Sequence, residues 1–237
     1  MNQKNIKPVE VAKRTIALEA GAVEGLAALL TEDFAKICGI ILEAKGRLIV
    51  SGIGKSAAIA QKIVATLNST GTPSAFLHAA DAIHGDLGMI RNEDVVMIIS
   101  KSGESPEIKV LAQLVKSFGN PVVGMVGHTD SYLARQSNYV LNTTVSQEAC
   151  PNNLAPTSST TAQMVMGDAL AVTLMEMRGF NSADFAKFHP GGSLGKKLYL
   201  RVADLYIHNE KPNVRETATL KEVIVEISRK RLGATAV

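Results

Sequence analysis

The sequence predicts an α/β fold: a doubly wound, five-stranded parallel sheet with extra N-terminal helices. Three observations carry that prediction. Short β-rich apolar runs alternate with helix-patterned stretches between Arg47 and Thr143. The run from Asp94 to Ile99 is almost unbroken Val, Met and Ile, the pattern of a parallel strand covered on both faces. Turns built of Ser, Gly and Lys follow two of the runs and lead straight into helices.

Taken in order, residues from about Pro8 to Ala44 read as two helices. Thr31 can cap the second, Glu32 and Asp33 suit the positive end of its dipole, and Gly46 follows its end. Arg47 to Ser51 is the first strand. Ser56 to Asn68 carries Ile59, Ile63 and Leu67 at helical spacing. Ser74 to His78 and Asp94 to Ile99 are the second and third strands. Ser105, Pro106 and Gly119 bracket a helix as cap, first-turn proline and terminator. Pro121 to Val126 and Asn138 to Thr143 complete the sheet. A long helix runs from about Thr157 to Arg178, and Ser182 to Phe188 forms a short one before His189-Pro190-Gly191-Gly192. Composition shifts near Leu200, which sets the expected domains at 1–200 and 201–237. The second stretch is charge-rich, is too short to build its own core and ends on Ala234 to Val237, which reads as a strand.

Composition excludes several classes. The excess of 25 basic over 22 acidic residues leaves +3, too little to argue for nucleic acid or an anionic membrane surface. Trp is absent, so stacking platforms for single strands are not expected. The polar N-terminus lacks an apolar segment, so it is not a signal peptide, and no apolar run is long enough to span a bilayer. Cys38 and Cys150 do not make a disulfide framework, and Cys38 lies on an apolar helical stripe as core packing. The expected compartment is the cytoplasm.

In an open parallel sheet, ligands bind beyond the strand C-termini where strand order reverses. The order 2-1-3-4-5 puts that point between the first and third strands. The turns leaving them are Ser51-Gly52-Ile53-Gly54-Lys55-Ser56 and Ser100-Lys101-Ser102-Gly103-Glu104-Ser105. Both open helices, whose free N–H groups and dipole favour an anion. Two such turns over one crevice suggest a phosphate group. A nucleotide P-loop needs glycine five positions before Gly54, where the chain has Ile49. A dinucleotide fingerprint wants an acidic residue ending the second strand, where the chain has His78.

At these residues the chain resembles a known family. Ser100 to Ser105 is similar to the phosphate loop of sugar isomerase (SIS) domains. Further segments resemble the arabinose-5-phosphate isomerase family: Gly52 to Ser56, Ser69 to Pro73, His84 to Gly88, Glu148 to Pro151, Leu154 to Thr161, Met166 to Leu170, and His189 to Gly192. Their order and spacing together are highly specific and cover the chain to about Leu200. Lys101 stands where that loop often has Asn or Gln. The resemblance implies interconversion of D-ribulose 5-phosphate and D-arabinose 5-phosphate, the entry to Kdo and lipopolysaccharide. It also implies homotetramers with sites at subunit boundaries, and a CBS region of which 201–237 resembles the start.

An enediol route needs a base, help in opening the sugar ring, and a donor for the enediolate oxygen. The resemblance implies that Glu148 is the base, its pKa raised by burial. It also implies that Glu107 orients sugar hydroxyls, that His189 opens the ring or shuttles a proton, and that His84 enters from a neighbouring subunit. Lys55 can hold the phosphate or polarise the carbonyl. Ser100, Ser102 and Ser105 are expected to contact phosphate, and Gly54, Ser56 and Lys101 belong to the same anion-seeking turns. Thr157, Ser158, Ser159 and Thr160 either add hydroxyl donors or cap the long helix. Asp168 is expected as a buried hydrogen-bonding residue. His78, Asp81, His84 and Asp86 match no standard ligand set, so neither metal nor cofactor is expected. Two rival functions remain at this level, a sugar-phosphate-sensing module and a nicotinamide-dependent oxidoreductase. No basic DNA-binding segment precedes the sheet, and a pure sensor would not need Glu148 and His189.

Overall fold

A computed structural model describes residues 6–191, 211–231 and 233–237. The chain divides into two compact units, Met1–Asn181 and Ser182–Val237. The division expected at residue 200 falls outside the described residues.

The first unit opens with α1 (Pro8–Gly25), a 3-10 turn (Leu26–Leu29) and α2 (Glu32–Glu43). Thr31 caps α2 as expected, its hydroxyl accepting from the Asp33 amide at 3.3 Å. Then β1 (Leu48–Gly52), α3 (Lys55–Ser69), β2 (Ser74–His78), β3 (Val95–Ser100), α5 (Pro106–Ser117), β4 (Val122–Val126) and β5 (Tyr139–Asn142) alternate. A single turn, α4 (Ala79–Ala82), and a 3-10 turn (Asp86–Met89) join β2 to β3, and α6 (Tyr132–Gln136) joins β4 to β5. The long α7 (Ser158–Met177) closes the unit. The five strands pair in parallel in the order β2-β1-β3-β4-β5, as the sequence predicts.

Side chains alternate across the sheet because the strand period is two. Val95, Met97 and Ile99 of β3 join a core under α2, α3 and α7. Val96 and Ile98 face the opposite core, with Ile108 and Leu111 of α5 and Leu133 of α6. The third strand is therefore buried on both faces, as its composition requires. Cys38 lies in the first core at 1% exposure. Asp168 departs from expectation: it is half-exposed and pairs with Lys62, linking α7 to α3 at the surface of the helical layer. Among the described residues, no helix is long and apolar enough to cross a membrane.

The second unit contains α8 (Ser182–Phe188) and α9 (Leu220–Lys230). A capping box starts α9, with Thr219 and Glu222 each bonding the other's backbone amide. The strand expected at Ala234 to Val237 is reduced to one parallel bridge between Ala236 and Asn213.

Candidate active site

A cleft of about 270 Å³ opens where strand order reverses. One wall comes from the turns after β1 and β3, contributing Lys55, Ser56, Ser100, Lys101, Ser102 and Ser105. The other comes from Pro156 and the first turns of α7, with Ser159, Thr160 and Gln163.

The β3–α5 turn is held from within and from behind. Ser100 Oγ accepts from the Gly103 amide at 3.0 Å, and Ser102 Oγ from the Glu104 amide at 3.3 Å. Gly103 has φ +65°, and a Cβ there would collide with Ser131 Oγ, so only glycine fits against α6. Glu104 accepts from the Tyr132 amide at 2.6 Å and pairs with Lys109 at 2.7 Å, locking the turn onto the same neighbour. Ser105 occupies the N-cap position of α5, but its side chain makes no capping bond and lines the cleft instead.

Glu148 stands behind the α7 wall with its side chain fully enclosed. Its Oε1 accepts from Lys101 Nζ at 2.5 Å and from Ser159 Oγ at 2.5 Å. Its Oε2 accepts from the Thr157 amide at 2.8 Å, the Ser159 amide at 3.1 Å and Thr157 Oγ1 at 3.2 Å. Asn153, in the left-handed region at φ 53°, accepts from the Glu148 amide at 2.7 Å and shapes the loop that delivers it. Burial pushes the Glu148 carboxyl up, but the bonds from Lys101, Ser159 and Thr157 together outweigh it and hold it at about 2. This corrects the expectation that burial raises its pKa. The start of α7 supplies free amides, and a carboxylate inside them behaves as a bound anion.

The cleft brings together Lys55, Ser56, Ser100, Lys101, Ser102 and Ser105, with Glu148 reached through Lys101 and Ser159. Thr157 sits at the N-cap of α7 without capping it, and holds Glu148 instead. Ser158 is wholly buried and does not line the cleft, and its hydroxyl has no partner among the described residues. The register of α7 presents Ser159 and Thr160 in its place. Gly54 is the N-cap of α3, beside the lining residues. Glu107 lies half-buried in the first turn of α5, outside the cleft lining. His84 is exposed in the turn between α4 and the following 3-10 turn, also outside it. His189 belongs to the second unit, where its Nδ1 lies 2.9 Å from the Phe185 carbonyl oxygen and its ring stacks on Phe185 at 3.9 Å. Gly192 lies outside the described residues. His78 lies 3.5 Å from Asp81, and no group of three or more metal-ligating side chains forms among the described residues.

Sequence reasoning missed Gln163. It is 1% exposed, lines the cleft and accepts from Ser56 Oγ at 3.2 Å. Its spacing of four from Ser159 places both on one face of α7, a signal that was available in the sequence.

Residues 40–173 match the SIS domain. The chain is 48% identical over 235 residues to arabinose 5-phosphate isomerase KdsD of Pseudomonas aeruginosa, spanning 99% of this chain and 72% of that protein. It is 45% identical over 229 residues to KdsD of Escherichia coli K12, spanning 96% of this chain and 70% of that one. The chain belongs to the arabinose 5-phosphate isomerase family. A solved isomerase-fold relative, E. coli CFT073 c3406 in complex with arabinose 5-phosphate, superposes with a TM-score of 0.75 at 37% identity, covering 80% of this chain and all of that one. Membership in the isomerase family accounts for the Ser-Lys cleft at the switch point and for the SIS order of its strands.

Proposed function

We propose that this isomerase interconverts D-ribulose 5-phosphate and D-arabinose 5-phosphate through an enediol. The observation that carries the reading is the cationic serine-lined cleft with one enclosed carboxylate on its wall. A phosphate fits the Ser100–Ser105 turn, where Ser102 and Ser105 offer hydroxyls and α5 offers its amides. Lys55 then faces the reacting end and stabilises the developing enediolate oxygen. Glu148 moves the proton between the two adjacent carbons, held in place by Thr157 and Ser159. Glu107 orients hydroxyls. His189 opens the ring, with Nδ1–H directed to the Phe185 carbonyl and Nε2 left to take the proton. His84 reaches a neighbouring copy's site. The named activities of the relatives support the same substrates.

Exposed apolar side chains on α1 and α7, such as Ile16 at 69% and Val172 at 48%, support a homotetramer. We place the enzyme in the cytoplasm at the entry to Kdo and lipopolysaccharide. The deciding experiment is incubation with D-ribulose 5-phosphate in D₂O, followed by NMR. The expected result is an aldose anomeric signal and deuterium at the aldose C2. Absence of any aldose overturns the reading.

A further inference from the structure

Resting on that isomerase reading, we propose that Lys101 is a positioning residue that couples phosphate capture to Glu148. One ammonium group serves two anions in turn, the wall carboxylate and the phosphate of the sugar.

The geometry behind this is asymmetric. Lys101 Nζ lies 2.5 Å from Glu148 Oε1, yet its side chain is 38% exposed while that of Glu148 is wholly enclosed. The other donors to Glu148 are the amides and hydroxyls of Thr157 and Ser159, fixed at the start of α7. They cannot follow a ligand. Lys101 can, because its charge rides on a flexible stem and it lines the cleft beside Lys55, Ser102 and Ser105. Its backbone stays put, since the Gly127 amide donates to the Lys101 carbonyl at 3.0 Å. A Cβ at Gly127 would lie 3.1 Å from Lys101 Cγ, so the stem runs directly over that glycine and only the head is free to swing.

A phosphate dianion in the Ser100–Ser105 turn competes with a single carboxylate that already has four other donors. Electrostatics favours the dianion. When Lys101 moves to it, Glu148 loses its one mobile cation and keeps its fixed bonds. An opposite charge within hydrogen-bonding reach is one of the strongest depressants of carboxylate basicity. Substrate binding therefore returns proton affinity to Glu148 at the moment the sugar carbons stand before it. Product release reverses the exchange.

The test is a double-mutant cycle on the full chain, with inorganic phosphate as the probe and titration calorimetry at pH 7.5 as the readout. Glu148→Gln frees Lys101, and phosphate should bind about tenfold more tightly, on the scale of a single charge pair. In a Lys101→Gln background, the same change should alter affinity less than about twofold. In turnover, Glu148→Gln should lower kcat and KM together, a split that a purely structural role does not produce. Circular dichroism checks folding, and Glu148→Asp, which withdraws the carboxylate by one methylene, repeats the test if the glutamine variant does not fold. Equal tightening in both backgrounds, no tightening in either, or no phosphate binding at all would overturn the proposal. Intact coupling in a chain that makes no aldose would sink the isomerase reading alone.

Discussion

Replacing Glu148 by glutamine keeps the side chain's length and removes the charge that Lys101, Thr157 and Ser159 surround. With Glu148 as the proton-transfer group, kcat falls by about 10²- to 10⁴-fold while sugar phosphate still binds. Product NMR and calorimetry together check this, and near-wild-type turnover would remove Glu148 from the role. At this scale the sequence was half legible. Lys55, Ser102 and Glu148 stand out by residue type and motif. Their partners do not, because Glu148 meets Lys101 from 47 residues away and Ser56 meets Gln163 across 107. Four hydroxyls in a row, Thr157 to Thr160, carry no mark of which face the cleft. The register of α7 decides that, and it leaves Ser158 inside.

The β3–α5 turn is an element whose shape depends on one residue. Gly103→Ala asks a side chain to adopt φ +65° and to occupy the space of Ser131 Oγ. The expected cost is about 2 kcal/mol or more from strain and overpacking. The turn would also move away from Ser131, taking Ser102 and Ser105 with it. Urea unfolding should report the lost stability, and KM for D-ribulose 5-phosphate should rise more than kcat falls. A variant matching the parent in both would show that the turn tolerates the shift. The main strands and helices were readable because strands buried on both faces give unbroken apolar runs. The short α4 and α6 and the 3-10 turn at Asp86–Met89 were not, since one helical turn is too brief to show a period.

For the molecule as a whole, Glu148 ties catalytic geometry to acid stability. Its carboxyl lies at about 2 in the folded chain against an ordinary 4.5. A lowered folded-state value stabilises fully above the ordinary one, and that stabilisation fades as pH falls from 4.5 toward 2. The shift corresponds to about 3 kcal/mol. Urea midpoints should therefore drop between pH 5 and pH 3 in the wild type, in addition to the general acid response, and Glu148→Gln should show a shallower drop. Equal slopes would mean that the carboxylate is not held as described. The sheet order was legible at this scale, since parallel crossovers leave few alternatives. At the outer margin of the sheet, Asp33 Oδ2 accepts from the Val140 amide at 3.0 Å. Strand β5 is thus stoppered on its open side by the helix that precedes the sheet. A foreign strand seeking to extend the ladder finds that donor already engaged, and this discourages fibril-like growth. Copies of the chain must then meet through their helices, a mode of assembly that leaves the mouth of the catalytic groove unobstructed by strand addition.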